Sequence, residues 1–315
     1  MPKRRSAPDS QPNMPSPSSR DDMMRDLNRL LERQQFGSIE EVNAFMEREL
    51  AGKPIPHLQP ANDRERAEDL VQAARNERSI PRLRAQVAKA LKLDPDCMTA
   101  HLLLAEVAEA PTEILAHSRK AIAAGDRVLS DVLAEADGAL WHHQGGRPYL
   151  RARLIIAELL WQMGDRQLAL EEARTILRFN AGDNQGVRYR LLEWLMQAGS
   201  IADIETLLAA HDEHSAAWTF TAALHRYRTG GRSTAAAKAL RSAMSVNVHV
   251  VPMLLGTLPL PPKPPEMYGN GDEDEAALYV FGATPAWYDA IGAMEWLTQA
   301  ARPKRPGAAG ARKRR

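Results

Sequence analysis

A short segment of the chain has residue types and spacing that metal binding requires. His211 and His214 are three residues apart in HDEHS, with Asp212 and Glu213 between them, and a helix would bring the two imidazoles to one face. A zinc site needs a third ligand, and the chain has neither an HExxH motif nor a cysteine pair. We therefore interpret the segment as a polar helix end and predict no metal site.

Three further patterns bear on catalysis. Cys97 follows Asp96 in a predicted turn, where nearby acids raise the pKa of a thiol and oppose a nucleophilic role. Glu158 and Glu193 have the residue type of an acid and base pair, but they occupy equivalent positions of a repeat, which explains their correspondence without catalysis. The glycine pairs lack the GxxxxGK[ST] spacing of a phosphate loop. The sequence predicts that the protein is not an enzyme and has no cofactor.

The elements that position these residues are the helices of a repeat. Apolar residues of 147–163 recur at the three-and-four spacing of a helix face, and the pattern restarts after Gly164. Gly164, Gly199 and Gly231 follow one another at 35 and 32 residues, near the roughly 34 of a tetratricopeptide unit. The spacing predicts an all-α, tetratricopeptide-like helical-hairpin solenoid, a right-handed superhelix, with disordered basic termini.

Prolines, glycines and breaks in the period divide the chain further. We expect the following segments: a disordered basic tail at 1–20, a short helical hairpin at 21–51, a linker at 52–62, a first repeat block at 63–126, an inserted helix at 127–146, a central repeat block at 147–255, a Pro-rich loop at 256–271, C-terminal capping helices at 272–300 and a disordered basic tail at 301–315.

The amino-acid composition narrows the class of protein. Hydrophobic residues make up 44% of the 315, enough for a sizeable core. The lone Cys97 rules out an intrachain disulfide and fits a reducing compartment. No apolar run approaches the roughly 18 residues of a membrane helix, and there is no hydrophobic signal core. We expect a soluble, cytoplasmic protein without a membrane span.

The predicted binding surface is the groove lined by the first helices of successive hairpins, which suits a segment of another protein. Aligning the units on their glycines places seven residues on that side, although each is equally well explained as a solvated or packing residue. The Lys and Asn pattern of carboxylate-clamping tetratricopeptide domains is absent, which favours a mixed or basic peptide. The predicted groove residues are Arg151, Glu158, Tyr189, Glu193, Trp218, His225 and Arg228.

A second function class follows from the charge distribution. Residues 301–315 carry seven basic groups and no acid, whereas residues 21–300 carry a net charge of −9. Such a tail can neutralise phosphates of a nucleic acid or an anionic surface, although no aromatic accompanies it to stack on bases. The alternative to protein binding is therefore nucleic-acid or anionic-surface binding through the basic C-terminal tail.

Five segments carry a family resemblance: DPDCMTAHLLLAE at 94–106, RPYLRAR at 147–153, DNQGVRY at 183–189, NVHVVPMLL at 247–255 and DEDEAALYVF at 272–281. In these the chain resembles bacterial tetratricopeptide repeat proteins related to the suppressor of tumorigenicity seven family. The resemblance implies a helical-repeat protein without established catalytic residues. Animal relatives are described as membrane proteins, whereas this chain has no spanning segment.

Six residues of the two most specific segments are candidates for capping or ligand contact. Asp183 or Asn184 precedes a predicted helix and can bind its free amides, so we favour capping for this set. The candidates are Arg147, Tyr149, Asp183, Asn184, Gln185 and Arg188.

Overall fold

The computed structural model describes residues 17–34, 36–135, 138–143 and 145–302. The described residues form helices and no β-strand, which confirms the all-α prediction. Most of the two predicted basic tails, 1–16 and 303–315, lies outside these ranges. The helices are α1 Pro17–Glu32, α2 Ile39–Phe45 with a π-helical turn Met46–Leu50, α3 Asp63–Arg75, α4 Ile80–Leu93, α5 Met98–Glu106, α6 Pro111–Val128, α7 Ser130–Glu135, a 3-10 turn Leu140–His142, α8 Gly146–Met163, α9 Arg166–Phe179, α10 Val187–Ala198, α11 Ile201–Ala210, α12 Ala216–Gly230, α13 Thr234–Val246, α14 Val250–Leu254, α15 Glu273–Asp289 and α16 Ala293–Ala300.

Consecutive helices pair into hairpins: α3 with α4, α5 with α6, α8 with α9, α10 with α11, and α12 with α13. In each hairpin the apolar face of one helix packs against the apolar face of the other, because an amphipathic helix must bury that face. Ala157 and Ala169 are fully buried in the third hairpin, and Leu224 and Ala236 are fully buried in the fifth. The stack of amphipathic hairpins is the helical-repeat solenoid that the sequence predicts.

Two helix corners have the same backbone conformation. Gly164 and Gly199 end α8 and α10 at φ of 91° and 71°, in the left-handed region where glycine is favoured. The next amide donates back five residues in both, from Asp165 to Leu160 O at 2.9 Å and from Ser200 to the equivalent carbonyl at 3.1 Å. This shared geometry explains the first spacing of the glycine period, whereas Gly231 ends α12 in a different conformation, with a ψ of −147°.

The segment predicted to form one inserted helix at 127–146 is divided differently. Helix α6 runs on through Val128, and the six-residue helix α7 and the 3-10 turn follow it. Gly138 adopts a φ of 78°, which an α-helix cannot accommodate. Of the apolar residues in this segment, Leu140 is 2% exposed and Val128 is 41% exposed, so the prediction of one continuous, inward-facing helix is wrong.

A buried charged side chain attaches α1 to the first hairpin. Arg29 is 4% exposed and its guanidinium binds Asp69 Oδ1 at 2.7 Å and the Glu65 carbonyl at 2.8 Å. Both partners belong to α3, and Arg29 also donates to the Leu58 carbonyl at 3.3 Å. The first helix is therefore positioned by hydrogen bonds to the start of the repeat stack.

Candidate functional site

We call the surface formed by α8, α10 and α12, the first helices of the last three hairpins, the inner face. Helix α15 packs against α10 and α12 on this face and also against α14. The sequence predicts that 272–300 caps the end of the stack; α15 contacts α12 of the last hairpin and also reaches α10, so that it lies over part of the predicted groove. The reason is hydrogen bonding to its main chain: Gln197 Nε2 donates to Gly282 O at 3.2 Å and Arg228 Nη2 donates to Ala286 O at 2.6 Å.

The amino-terminal end of α15 is fixed by a buried carboxylate. Glu275 is 4% exposed and accepts hydrogen bonds from Ala216 N at 2.9 Å, Asn247 Nδ2 at 3.0 Å and Gly271 N at 2.7 Å. Its own amide donates to the N-cap residue Asp272 at 2.8 Å. These bonds join the starts of α12 and α15 to the turn after α13.

Small residues let α15 approach the inner face closely. Ala276, Ala277 and Ala286 are at most 1% exposed. Gly282 lies against the Glu193 carboxylate, and a Cβ at this position would be 2.5 Å from the Glu193 Cδ. The small residues of α15 were the sequence signal for this packing, because a missing side chain is what allows two helices to come so close.

A cavity of about 610 Å³ remains between α8, α10, α12, α15 and the loop that precedes α15. It contains three of the seven predicted groove residues, Glu158, Tyr189 and Glu193. Its lining is largely apolar, which is typical of binding cavities. The residues that line it from α8, α15 and the loop include Leu154, Leu278, Gly282, Pro264 and Tyr268.

Two of the three carboxylates that line this cavity, Glu158 and Glu193, are weakly paired. Arg190 lies between them, with guanidinium nitrogens 3.6 Å from Glu158 Oε1 and 3.5 Å from Glu193 Oε2. Glu193 also accepts a hydrogen bond from Gln197 Nε2 at 3.2 Å. Burial raises the pKa of Glu193, against the opposing effects of Arg190 and Gln197, because desolvation disfavours the charged form.

The other four predicted groove residues are absent from the cavity lining. Arg151 is exposed and pairs with Glu106 of α5 at 3.0 Å. Trp218 and His225 are 4% and 8% exposed, and burial lowers the pKa of His225. Arg228 donates to main-chain carbonyls of α10 and α15. The structure therefore separates the predicted set into three cavity residues, three buried or partly buried packing residues of α12 and the exposed Arg151, and of these packing residues Arg228 contacts α15.

Beside the cavity, an ionic cluster fixes the start of α10. Asp183 is 5% exposed and accepts from the amides of Val187 at 2.7 Å and Arg188 at 3.0 Å. The Arg188 guanidinium pairs with Asp183 at 3.1 Å and with Glu213 at 2.5 Å, and Tyr189 donates its hydroxyl to Glu213 at 2.9 Å. These are the hydrogen bonds of a helix cap, with Glu213 an additional partner that the sequence reasoning did not identify.

The remaining residues of the two specific segments occupy different environments. Arg147 lies over the Trp141 ring at 5.2 Å and Asn184 is exposed. Tyr149 is 1% exposed, donates to Asp126 at 2.8 Å, and has a pKa raised to about 12, chiefly by burial. Gln185 lines the cavity, and its buried Oε1 accepts no hydrogen bond from the described residues.

Neither candidate for metal or thiol chemistry is organised as a site. Across the four described ranges, no group of three His, Cys, Asp or Glu side chains is placed to hold a metal ion. His211 instead contacts Trp218 edge-on, with ring centroids 5.7 Å apart. Burial, followed by the charge of Glu68, raises the pKa of the Cys97 thiol to about 12. A thiol with that pKa is a poor nucleophile at neutral pH.

These features define a class of protein: an all-α stack of helical hairpins whose inner face is partly covered by a helix of the same chain and keeps an open cavity beside it. In the part of the chain that the structure describes, no helix is long and apolar enough to cross a membrane.

The family follows from comparison with known proteins. A family model for the ST7 protein matches residues 58–302, and the chain belongs to this family. It is 28% identical over 259 residues to a suppressor of tumorigenicity 7 protein-like chain of Bos taurus, covering 73% of this chain and 46% of that one. The human counterpart is 28% identical over 257 residues, at 73% and 44%. The chain thus spans about half the length of these relatives.

A similar solved structure is that of YrrB, described as a TPR protein with an unusual peptide-binding site. It is 18% identical, and the match covers 65% of this chain and 90% of that one with a TM-score of 0.39.

Proposed function

We propose that this chain is a non-catalytic scaffold that binds a segment of another protein in the inner-face cavity. The observation that carries the proposal is the convergence of Glu158, Tyr189 and Glu193, from two successive first helices, around an open and largely apolar space. A pocket that combines apolar walls with a few polar groups supplies both affinity and orientation to a ligand.

The rim of the cavity favours a protein segment over a small molecule. Tyr268 and Leu278 line the cavity, yet they are 48% and 39% exposed. Apolar groups at a rim are covered when a ligand continues beyond the cavity, as a polypeptide does. The packing of α15 against α10 and α12 beside the cavity supports this choice, because a helix of the same chain already lies on this face.

Affinity purification with paired variants tests this proposal. The double variant Glu158→Lys, Glu193→Lys reverses the charge of the cavity, whereas Glu171→Lys makes the same change on an exposed position of α9. Proteins recovered specifically with the wild-type chain and with Glu171→Lys should be lost from the double variant. If every specific partner persists on a double variant with unchanged circular dichroism, the assignment of the cavity is wrong.

We also propose a cytoplasmic location and a bacterial source. The lone Cys97 fits a reducing compartment, and the sequence segments noted above resemble bacterial repeat proteins. Fractionation of the native cells, with detection of the untagged chain, tests the location; recovery in the membrane fraction after a high-salt wash would refute it.

A further inference from the structure

The charges that line the cavity are unbalanced. Glu158, Glu193 and Glu275 face one cation, Arg190, which leaves a net charge of −2 among the lining residues. Glu275 is fully engaged by three N–H donors. The uncompensated negative charge therefore lies with Glu158 and Glu193, which share Arg190 at 3.5 to 3.6 Å.

The polar atoms around Glu193 have unused capacity to accept hydrogen bonds. An ionised carboxylate accepts up to about four, but Glu193 has one from Gln197 at 3.2 Å and one from Arg190 at 3.5 Å. Its side chain is 25% exposed and faces the open cavity, so that a ligand there can supply the missing donors. Gln185 adds a buried carbonyl oxygen, without a donor among the described residues, to the same lining.

The surroundings of this acceptor group are apolar. Leu154 lies on the α8 side, Leu278 on the α15 side and Tyr268 on the loop side. A long basic side chain matches this arrangement, because its methylene groups pack on apolar surface while its charged end donates hydrogen bonds.

We infer that the cavity recognises a lysine or arginine of a partner polypeptide, inserted between α8, α10 and α15 with its charged group at Glu193 and Glu158, and flanked by apolar residues that cover Tyr268 and Leu278. This inference rests on the proposed function and specifies its ligand. The C-terminal sequence ARPKRPGAAGARKRR is basic but has no large apolar residue to cover that rim, so it matches only one of the two features of this occupant.

The test uses a phage-displayed library of random peptides, selected on the immobilised full chain and counter-selected on the Glu158→Lys, Glu193→Lys variant. The expected peptides contain a lysine or arginine next to large apolar residues. In fluorescence polarisation with a selected synthetic peptide, Glu193→Gln should weaken binding about ten-fold, as loss of a charge-assisted hydrogen bond does. Replacing the peptide's basic residue by norleucine should have a similar effect, and Glu171→Gln should have none.

The outcomes separate the inference from the proposed function. Selected peptides that lack an essential basic residue, or that bind Glu193→Gln as tightly as wild type, overturn the cation site and leave peptide binding in place. Failure to select any peptide that the double variant rejects overturns both. Two controls address other occupants. Tighter peptide binding after deletion of residues 303–315 would assign the cavity to the chain's own tail. A dimer that dissociates in the Glu193→Gln variant would assign the cavity to a second copy of the chain. Either result overturns the partner segment.

Discussion

Replacing Glu275 by alanine should loosen α15 from the inner face. The carboxylate is 4% exposed and is the acceptor for three N–H groups, two of them, Ala216 N and Asn247 Nδ2, in buried hydrogen bonds. Alanine leaves the Ala216 amide and one of the two Asn247 Nδ2 hydrogens without an acceptor, whereas the other Nδ2 hydrogen keeps the Asp272 carbonyl at 2.9 Å. The amide of Gly271 is nearer the surface, where water substitutes for the carboxylate.

The expected loss of stability follows from the number of buried donors. Each buried donor left without an acceptor costs about 1–3 kcal/mol. Two such donors give about 2–6 kcal/mol, from which the relief of burying one carboxylate subtracts a part. We expect Glu275→Ala to reduce the free energy of unfolding by about 2–4 kcal/mol. Glu275→Gln keeps one carbonyl oxygen but points an amide donor at other donors, so it should fall between alanine and wild type.

A neighbouring glutamate provides the control. Glu273 is in the same first turn of α15, its side chain is 63% exposed, and its contact with His249 is 3.7 Å long. Glu273→Ala should cost less than about 1 kcal/mol, the contribution of an exposed charge at a helix start. Urea unfolding followed by circular dichroism gives both values. If the two alanine variants agree within about 0.5 kcal/mol, the buried hydrogen bonds of Glu275 do not hold α15.

Two further changes test other parts of the structure. Gly146→Ala should lower the free energy of unfolding by at least about 2 kcal/mol, since the new Cβ would collide with the Leu140 carbonyl, a backbone group that cannot rotate away. A melting temperature within 2 °C of wild type, which corresponds to a loss of roughly under 1 kcal/mol, would contradict this. Glu193→Gln should gain stability relative to wild type as pH rises. The folded-state pKa of Glu193 lies above its usual 4.5, so the stability that protonation provides is present below that value and is lost as pH rises through the folded-state pKa. Urea unfolding of both proteins at several pH values from 4 to 7 gives the difference between their free energies of unfolding. A difference that stays constant over this range would contradict a raised pKa of Glu193.

The fold was predictable because local signals determine it. The Gly164 and Gly199 corners require a positive φ and mark the repeat, and buried Ala157 and Ala169 mark the helix crossing. The break at Gly138 was not predictable, because partly buried Val132 and Leu133 before it and buried Leu140 after it have the spacing of a single helix face.

The candidate site was predictable in part. The repeat register places Glu158, Tyr189 and Glu193 on one face, and the structure finds all three around the cavity. The repeat register could not show that α15 returns to cover that face, since this contact joins residues 85 positions apart, such as Gln197 and Gly282. The periodicity of a helix reports which of its faces is buried but not which partner covers that face.

Arg228 shows what this return of the chain requires. One guanidinium donates to the Met196 carbonyl at 2.8 Å and to the Ala286 carbonyl at 2.6 Å, in the closing turns of α10 and α15. Its positive charge thus complements the negative ends of two helix dipoles at once. A fragment of the protein that stops ahead of Ala286 would leave Arg228 with only one of these two carbonyl acceptors, so fragments made for crystallisation or peptide screening should extend through α15.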